Sequence, residues 1–175
     1  MNYLFIIDMQ NDLLTGVLGN KECVETIPYV KQEIESGKYD AIIFTQDTHD
    51  ETYLSTQEGK KLPVPHCMRG SEGWKIESSL LKTAQDSQKE IRIVEKDGFG
   101  SLELPFEIEN IGMHDAITLG GVCTGICVLS NAAILKASLR ETEINVIAKA
   151  CACVTPTSHK TALEAMKMIQ INVIE

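Results

Sequence analysis

Ala116-Ile-Thr-Leu-Gly-Gly-Val-Cys-Thr-Gly-Ile-Cys127 passes from an apolar β-rich run, through a glycine turn, to a cysteine at the head of an Ala-, Leu- and Ile-rich segment ending near Leu139. That is the pattern of a buried strand feeding a helix, and it recurs along the chain. Comparable runs are Tyr3–Ile7, Ala41–Thr45, Ile91–Val94, Ile144–Ala148 and Ile171–Ile174. Several are nearly continuous in apolar residues, as strands covered on both faces must be. Helical patterns lie between them: Cys23 to Ser36, stopped by Gly37; Ile76 to Gln85; Cys127 to Leu139; and Pro156 to Met168, with Thr155 as cap and Pro156 at the first helical position. Strand–helix alternation predicts an α/β fold: a three-layer, doubly wound, mainly parallel six-stranded sheet with helices on both faces. At 175 residues, residues 1–175 are expected to form one domain.

In such sheets, ligands bind beyond the carboxyl ends of the strands. The polar residues expected there are Asp8 after the first strand, Asp47-Thr-His49 after the second, Lys96 after the third, and the Gly120–Cys127 turn after the fourth. A cysteine in a helix's first turn meets backbone N–H groups and the positive dipole end, which lower a thiol pKa, and a nearby lysine adds to the effect. Asp8 is placed to shuttle the thiol proton. Each residue also has a plain reading: a buried helix cysteine, a strand-end turn acid, a solvated lysine between Glu95 and Asp97. Asp47 and His49, two apart in extended backbone, share one face, and His66 returns after a loop containing Glu58. Two imidazoles and a carboxylate suit zinc, with iron or manganese as alternatives. The plain reading is a loop with two surface histidines. The loop from Asp47 to Gly73 is long for a compact domain, a length usually functional or disordered.

Composition narrows the classes. Hydrophobic residues make up 43% and charged residues 23%, and the formal net charge is −9. Without a concentrated basic patch such a surface repels phosphate backbones, so no nucleic-acid partner is expected. No stretch reaches the ~20 apolar residues of a membrane span, and Tyr3 to Ile7 is too short for a signal peptide. A cytoplasmic protein with reduced thiols and no membrane partner is expected. The six cysteines contain no CxxC pair. His114 and His159 are expected at the surface or in capping roles, Cys151 and Cys153 in packing, and Trp74 as an anchor of the long loop.

The segments Phe5-Ile-Ile-Asp-Met-Gln-Asn-Asp12, Thr45-Gln-Asp-Thr-His49, Pro63-Val-Pro-His-Cys67, Lys96-Asp-Gly-Phe-Gly-Ser101 and Gly121-Val-Cys-Thr-Gly-Ile-Cys-Val128 together resemble the isochorismatase-like cysteine hydrolases, and within them the nicotinamidases. The resemblance implies a catalytic triad of Asp8, Lys96 and Cys127, and a metal site of Asp47, His49 and His66 with a fourth ligand from the loop, Glu58 first and Ser55 second. It also implies a cis Val122–Cys123 peptide and an oxyanion hole made by the backbone N–H groups of Cys123 and Cys127. Leu13, Phe99 and Val122 fall where substrate is held. The implied reaction is cleavage of a small carboxamide through a thioester, nicotinamide to nicotinate and ammonia, with a divalent metal, zinc first, and a homo-oligomeric assembly. Departures from the family pattern, such as Leu62-Pro-Val-Pro65 without an aromatic ring, Leu13 and Leu14, and Gly125 where an acid is common, keep open another amide or carbamoyl substrate. A thiol sensor or ligand-binding relative is the reading outside catalysis.

Overall fold

The computed structural model describes residues 1–108 and 115–175. Six strands form one sheet in the order β3-β2-β1-β4-β5-β6: β1 (Asn2–Ile7), β2 (Ala41–Asp47), β3 (Glu90–Lys96), β4 (Ala116–Val122), β5 (Glu143–Ala152) and β6 (Asn172–Ile174). Every pairing is parallel. The "mainly parallel" expectation therefore holds throughout the described sheet. The order reverses between β1 and β4, so the switch point falls where the chain leaves β1 at Asp8 and β4 at Cys123.

Side chains alternate along each strand, which splits the apolar residues between two cores. Tyr3, Phe5 and Ile7 of β1 join Ile43, Leu119 and Val146 on one face; Leu4 and Ile6 join Ile42 and Phe44 on the other. The helices, in chain order, are α1 (Asn11–Leu14), α2 (Lys21–Val24), α3 (Ile27–Glu35), α4 (Gln57–Lys61), α5 (Ser78–Asp86), α6 (Leu129–Ser138) and α7 (Pro156–Met168). α6 and α7 cover the first core, through Leu135, Leu163 and Met166, and α3 and α5 cover the second, through Val30, Ile34, Leu80 and Ala84.

Two predicted helices differ from expectation. The Cys23–Ser36 segment is broken into α2 and α3 at Glu25 and Thr26. Pro28 explains the break, because in a continuous helix its ring would meet the carbonyl of Val24. The segment from Cys127 is preceded by a π-helical turn, Thr124–Val128, and the α-helix starts only at Leu129. The cap at α7 is as expected, with Thr155 and Ser158 closing a reciprocal capping box. No helix among the described residues is long and apolar enough to cross a membrane. His114 lies outside the described residues.

Candidate active site

Asp8 leaves β1 in the left-handed region, at φ 49°, a conformation aspartate tolerates better than most residues. Thr45, on the neighbouring strand, fixes it twice: the Asp8 N–H donates to Thr45 Oγ1 (3.1 Å), and that hydroxyl donates to Asp8 Oδ1 (2.6 Å). The other carboxylate oxygen lies 2.7 Å from Lys96 Nζ. Asp8 is fully buried and Lys96 is 6% exposed.

Lys96 is the hub of the site. Besides Asp8, its ammonium group reaches Asp47 Oδ1 (3.2 Å), the Gly98 carbonyl (2.9 Å) and Cys127 Sγ (3.9 Å). Burial alone would lower its pKa, but the surrounding Asp8, Cys127 and Asp47 more than reverse this and raise it, so it stays an ammonium. The solvated-lysine reading is excluded by this burial.

Cys127 sits in the π-helical turn after β4. The turn hangs on one carbonyl, since both Ile126 N–H (3.0 Å) and Val128 N–H (3.2 Å) donate to Cys123 O. Gly121 makes the approach possible. It lies at φ 129°, and a Cβ there would fall 2.1 Å from the Ile7 carbonyl oxygen. The Val122–Cys123 peptide is cis. Asn131, also fully buried, ties the turn to the loop after β3, donating to Cys127 O (2.9 Å) and Phe99 O (3.2 Å) while accepting from the Ser101 N–H (2.9 Å).

The thiol chemistry differs from the sequence-based expectation of a lowered pKa. Burial pushes the Cys127 thiol well up, the adjacent Asp8 charge and a hydrogen bond to Asp8 add to this, and Lys96 only partly offsets it. Burial likewise raises the Asp8 carboxyl, against the pull of Lys96 and Thr45. Both groups therefore hold a proton more firmly than they would in water. A dipole argument read from sequence sees the helix start; it does not see how completely the site excludes water.

Asp47, His49 and His66 form the second cluster. One ligand atom from each lies within 4.8 Å of the others, and all three residues are buried. His49 Nε2 is 3.0 Å from Asp47 Oδ2 yet has no hydrogen-bond partner of acceptable geometry. His66 Nε2 lies 3.5 Å from the same oxygen, while its Nδ1 meets the Val64 carbonyl at 2.8 Å. A backbone carbonyl on the far ring nitrogen fixes the tautomer of a ligating imidazole. A buried imidazole nitrogen without a partner, facing a carboxylate and a second imidazole, is the donor set of a divalent metal site. Glu58 Oε1 stands 3.8 Å from His49 Nε2 and 3.7 Å from His66 Nε2; Ser55 is exposed. The surface-histidine reading does not survive this burial.

Four residues that the sequence did not single out hold these groups. Gln10, fully buried, reads the Asp47 backbone as a strand would: its Oε1 accepts from Asp47 N–H (2.7 Å), and its Nε2 donates to Asp47 O and Trp74 O (2.8 Å each). Asp12 accepts from the Cys67 N–H (2.8 Å), securing a residue at φ 47° directly after His66. Tyr53 packs on both imidazoles, with ring centroids 4.6 Å from His49 and 5.1 Å from His66. Thr45 is the fourth. Gln10, Asp12 and Thr45 lie in the segments that carry the family resemblance, but their roles depend on contacts across the fold. Trp74 anchors the long loop as expected, its indole N–H donating to Thr48 Oγ1 (2.8 Å).

Of the residues expected to hold substrate, Phe99 is half exposed, Leu13 is partly buried against the α3-side core, and Val122 is fully buried in that core. A recess of about 580 Å³ lined by Thr48, Arg69, Glu95, Ser101 and Leu102 reaches Lys96 from the β3 side. Cys151 is packed in the α6–α7 core. His159 is half-buried, and its Nδ1 pairs with the Thr124 hydroxyl at 2.8 Å, so it braces the turn that carries Cys127 rather than facing the open surface.

An all-parallel doubly wound sheet carrying an Asp–Lys–Cys cluster at its switch point, beside an Asp–His–His cluster, belongs with the isochorismatase hydrolases. The isochorismatase domain profile matches residues 2–175, and the chain belongs to that family. It is 31% identical over 144 residues to the uncharacterized isochorismatase family protein PncA of Bacillus subtilis (strain 168), spanning 74% of this chain and 75% of that protein. The crystal structure of nicotinamidase PncA from Bacillus subtilis superposes with a TM-score of 0.80 at 26% identity, covering 99% of both chains. Two further structures show likeness of fold. They are the pyrazinamidase/nicotinamidase of Streptococcus mutans UA159 (TM-score 0.84, 24% identity, 99% of this chain and 100% of that one) and the pyrazinamidase of Pyrococcus horikoshii in complex with zinc (TM-score 0.75, 22% identity, 99% and 98%).

Proposed function

We propose that this protein is a cysteine amidohydrolase that converts nicotinamide to nicotinate and ammonia through a thioester on Cys127. The observation that carries the reading is the position of Lys96 Nζ, in contact at once with Asp8, Cys127 and Asp47. It joins a thiol–carboxylate pair to a metal-type cluster in one water-poor site. The solved structures named above that share the fold are nicotinamidases and pyrazinamidases.

The mechanism builds on these contacts. Asp8 takes the Cys127 proton as the sulfur attacks the carboxamide carbon, and Lys96 stabilises the thiolate as it forms. The backbone N–H groups of Cys123 and Cys127 receive the oxyanion; one such donor is typically worth about 3–4 kcal/mol. Asp8 then gives its proton to the departing nitrogen, ammonia leaves, and a thioester remains. Asp8, again a carboxylate, takes a proton from water, which attacks the thioester and releases the acid and the thiol. Burial serves this cycle, because it raises the Asp8 carboxyl above its ordinary value and so makes it a better acceptor for the thiol proton. Asp47, His49 and His66, with Glu58 beside them, would hold a divalent ion of the zinc class, which when bound supplies a Lewis-acidic anchor for a ring nitrogen. Phe99 and Leu13 flank the ring.

An ammonia-release assay with nicotinamide tests this. Protein supplied with zinc, manganese or iron is expected to release ammonia and nicotinate in equal amounts. Metal-replete protein that turns over another amide but not nicotinamide contradicts the substrate; protein inert towards all small amides contradicts the reaction.

A further inference from the structure

Asn131 stands four residues after Cys127, in the first turn of α6, and its side chain is fully buried. The two ends of its amide meet different needs. Nδ2 donates to the Cys127 carbonyl (2.9 Å) and to the Phe99 carbonyl (3.2 Å), and Oδ1 accepts from the Ser101 N–H (2.9 Å). Both amide hydrogens and one oxygen lone pair are thereby used, and turning the amide over would set its oxygen against two carbonyls. The three partners lie on two segments far apart in sequence: the loop after β3, and the turn that carries the nucleophile.

That loop needs an anchor. Phe99 stands between Gly98 and Gly100 and is half exposed, so core packing alone does not fix it. A Cβ on Gly98 would meet nothing within 4 Å, so the chain is open there. A Cβ on Gly100 would fall 2.6 Å from Ile134 Cδ1 and 3.2 Å from Ser130 Cβ, so there the loop lies directly on α6. Lys96 Nζ holds the loop at the Gly98 carbonyl (2.9 Å). The ties at the Phe99 carbonyl and the Ser101 N–H are both made by Asn131.

We propose that Asn131 is a positioning residue that sets specificity for ring-bearing amides, by clamping the Phe99 loop in register with the Cys127 turn. Its effect on turnover rests on the amidase reading; the clamp itself does not.

The geometry gives the clamp two separable effects. A flat ring seated against Phe99 presents its carboxamide carbon to the Cys127 sulfur only if the two segments keep a fixed spacing, and one side chain bonded to both sets it. Releasing the loop loosens the wall and weakens binding of the ring. Releasing the Cys127 carbonyl moves the nucleophile, and a misplacement of about 1 Å can cost on the order of 100-fold in rate.

Asn131→Thr separates the two ties. A threonine hydroxyl in a helix bonds the carbonyl four residues back, here that of Cys127, but it is one bond shorter than the amide and cannot also serve Phe99 and Ser101. The experiment joins hydrogen–deuterium exchange of the full chain, read on the peptide covering residues 97–103, to nicotinamide kinetics. Exchange in that peptide is expected to quicken in both Asn131→Thr and Asn131→Ala. Asn131→Thr should raise KM by about 3–10-fold, the scale of one aromatic contact, and change kcat less. Asn131→Ala should also lower kcat, by about 10–100-fold. Phe99→Ala should raise KM by a similar factor, and Asn131→Thr combined with Phe99→Ala should raise it no further, since the two act through one wall. Should Asn131→Ala not fold, the Asn131→Thr comparisons decide alone. Unchanged exchange in the loop overturns the clamp. KM effects that multiply in the double variant, or a fall in kcat alone in Asn131→Thr, overturn the specificity role and leave Asn131 a structural residue. If the loop is released but the unaltered protein turns over no amide, the amidase reading fails and the clamp stands.

Discussion

The Lys96 ammonium lies 2.7 Å from the Asp8 carboxylate, with Asp8 fully buried and Lys96 nearly so. Neither charge could stand there alone. Removing one partner of a buried ion pair typically costs about 3–5 kcal/mol, since the other is left uncompensated. Lys96→Met leaves Asp8 and Asp47 facing one another without a cation. Thermal unfolding of Lys96→Met is expected to show a loss of that order, and its turnover should fall at least as steeply as that of Asp8→Asn. A variant as stable and active as the unaltered protein would remove Lys96 from the account.

The Asp47–His49–His66 cluster predicts a stoichiometric divalent site. Elemental analysis of purified protein should find about one zinc, iron or manganese per chain. His66→Ala and Asp47→Ala should each lower the content well below that. Asp47→Ala should also reduce stability, because Asp47 contacts Lys96 as well as the imidazoles. Full metal content in both variants would show that the ion binds elsewhere.

Gln10 is expected to behave as a positioning residue. Gln10→Ala deprives the Asp47 N–H and carbonyl of a partner, at about 1–3 kcal/mol for each buried group left unsatisfied, while the Trp74 carbonyl keeps Gln46 Nε2 (2.8 Å). Metal content should fall although Gln10 touches no metal ligand's side chain. A variant that loses stability but holds its ion as tightly as before would limit Gln10 to a structural role.

His159 gives a pH dependence with a definite sign. Burial lowers its pKa below the ordinary imidazole value of about 6.5, with Lys160 lowering it further and Glu175 opposing. The unfolded chain therefore binds the proton at a higher pH than the folded one. Its contribution to stability is complete above about pH 6.5 and declines as pH falls towards the lowered folded value. Melting temperatures of the unaltered protein and His159→Asn, compared between about pH 8 and pH 5, should converge as the pH falls. A difference independent of pH would mean the Thr124–His159 contact carries no proton linkage.

Much of this site was legible because strand ends are legible. The apolar runs of β1, β2, β3 and β4 are visible in the sequence, and polar residues at or just beyond the ends of these strands reach the site: Asp8, Asp47 and His49, Lys96, and the turn to Cys127. The fold rule that places ligands at carboxyl ends then brings them together without any distance being known. What stayed hidden depends on contacts across the fold. Gln10 pairing with the Asp47 backbone joins residues 37 positions apart, and Tyr53 packs on one imidazole from within its own loop and on a second that returns only at His66; no periodic signal marks either. The direction of the Cys127 shift was misread for a related reason. A helix start is visible in sequence, but the near-complete exclusion of water that outweighs it belongs to the packed structure. The break between α2 and α3 was readable in principle, since Pro28 stands four residues after Val24.

The most direct test of the account is to look for the bond it requires. Protein mixed with nicotinamide, quenched in acid within the first turnovers and digested, should carry a nicotinoyl group on the Cys127 peptide by mass spectrometry, lost on incubation at neutral pH and absent from Cys127→Ala. Turnover of nicotinamide by Cys127→Ala at the unaltered rate, or an acyl group found on another residue, would contradict it.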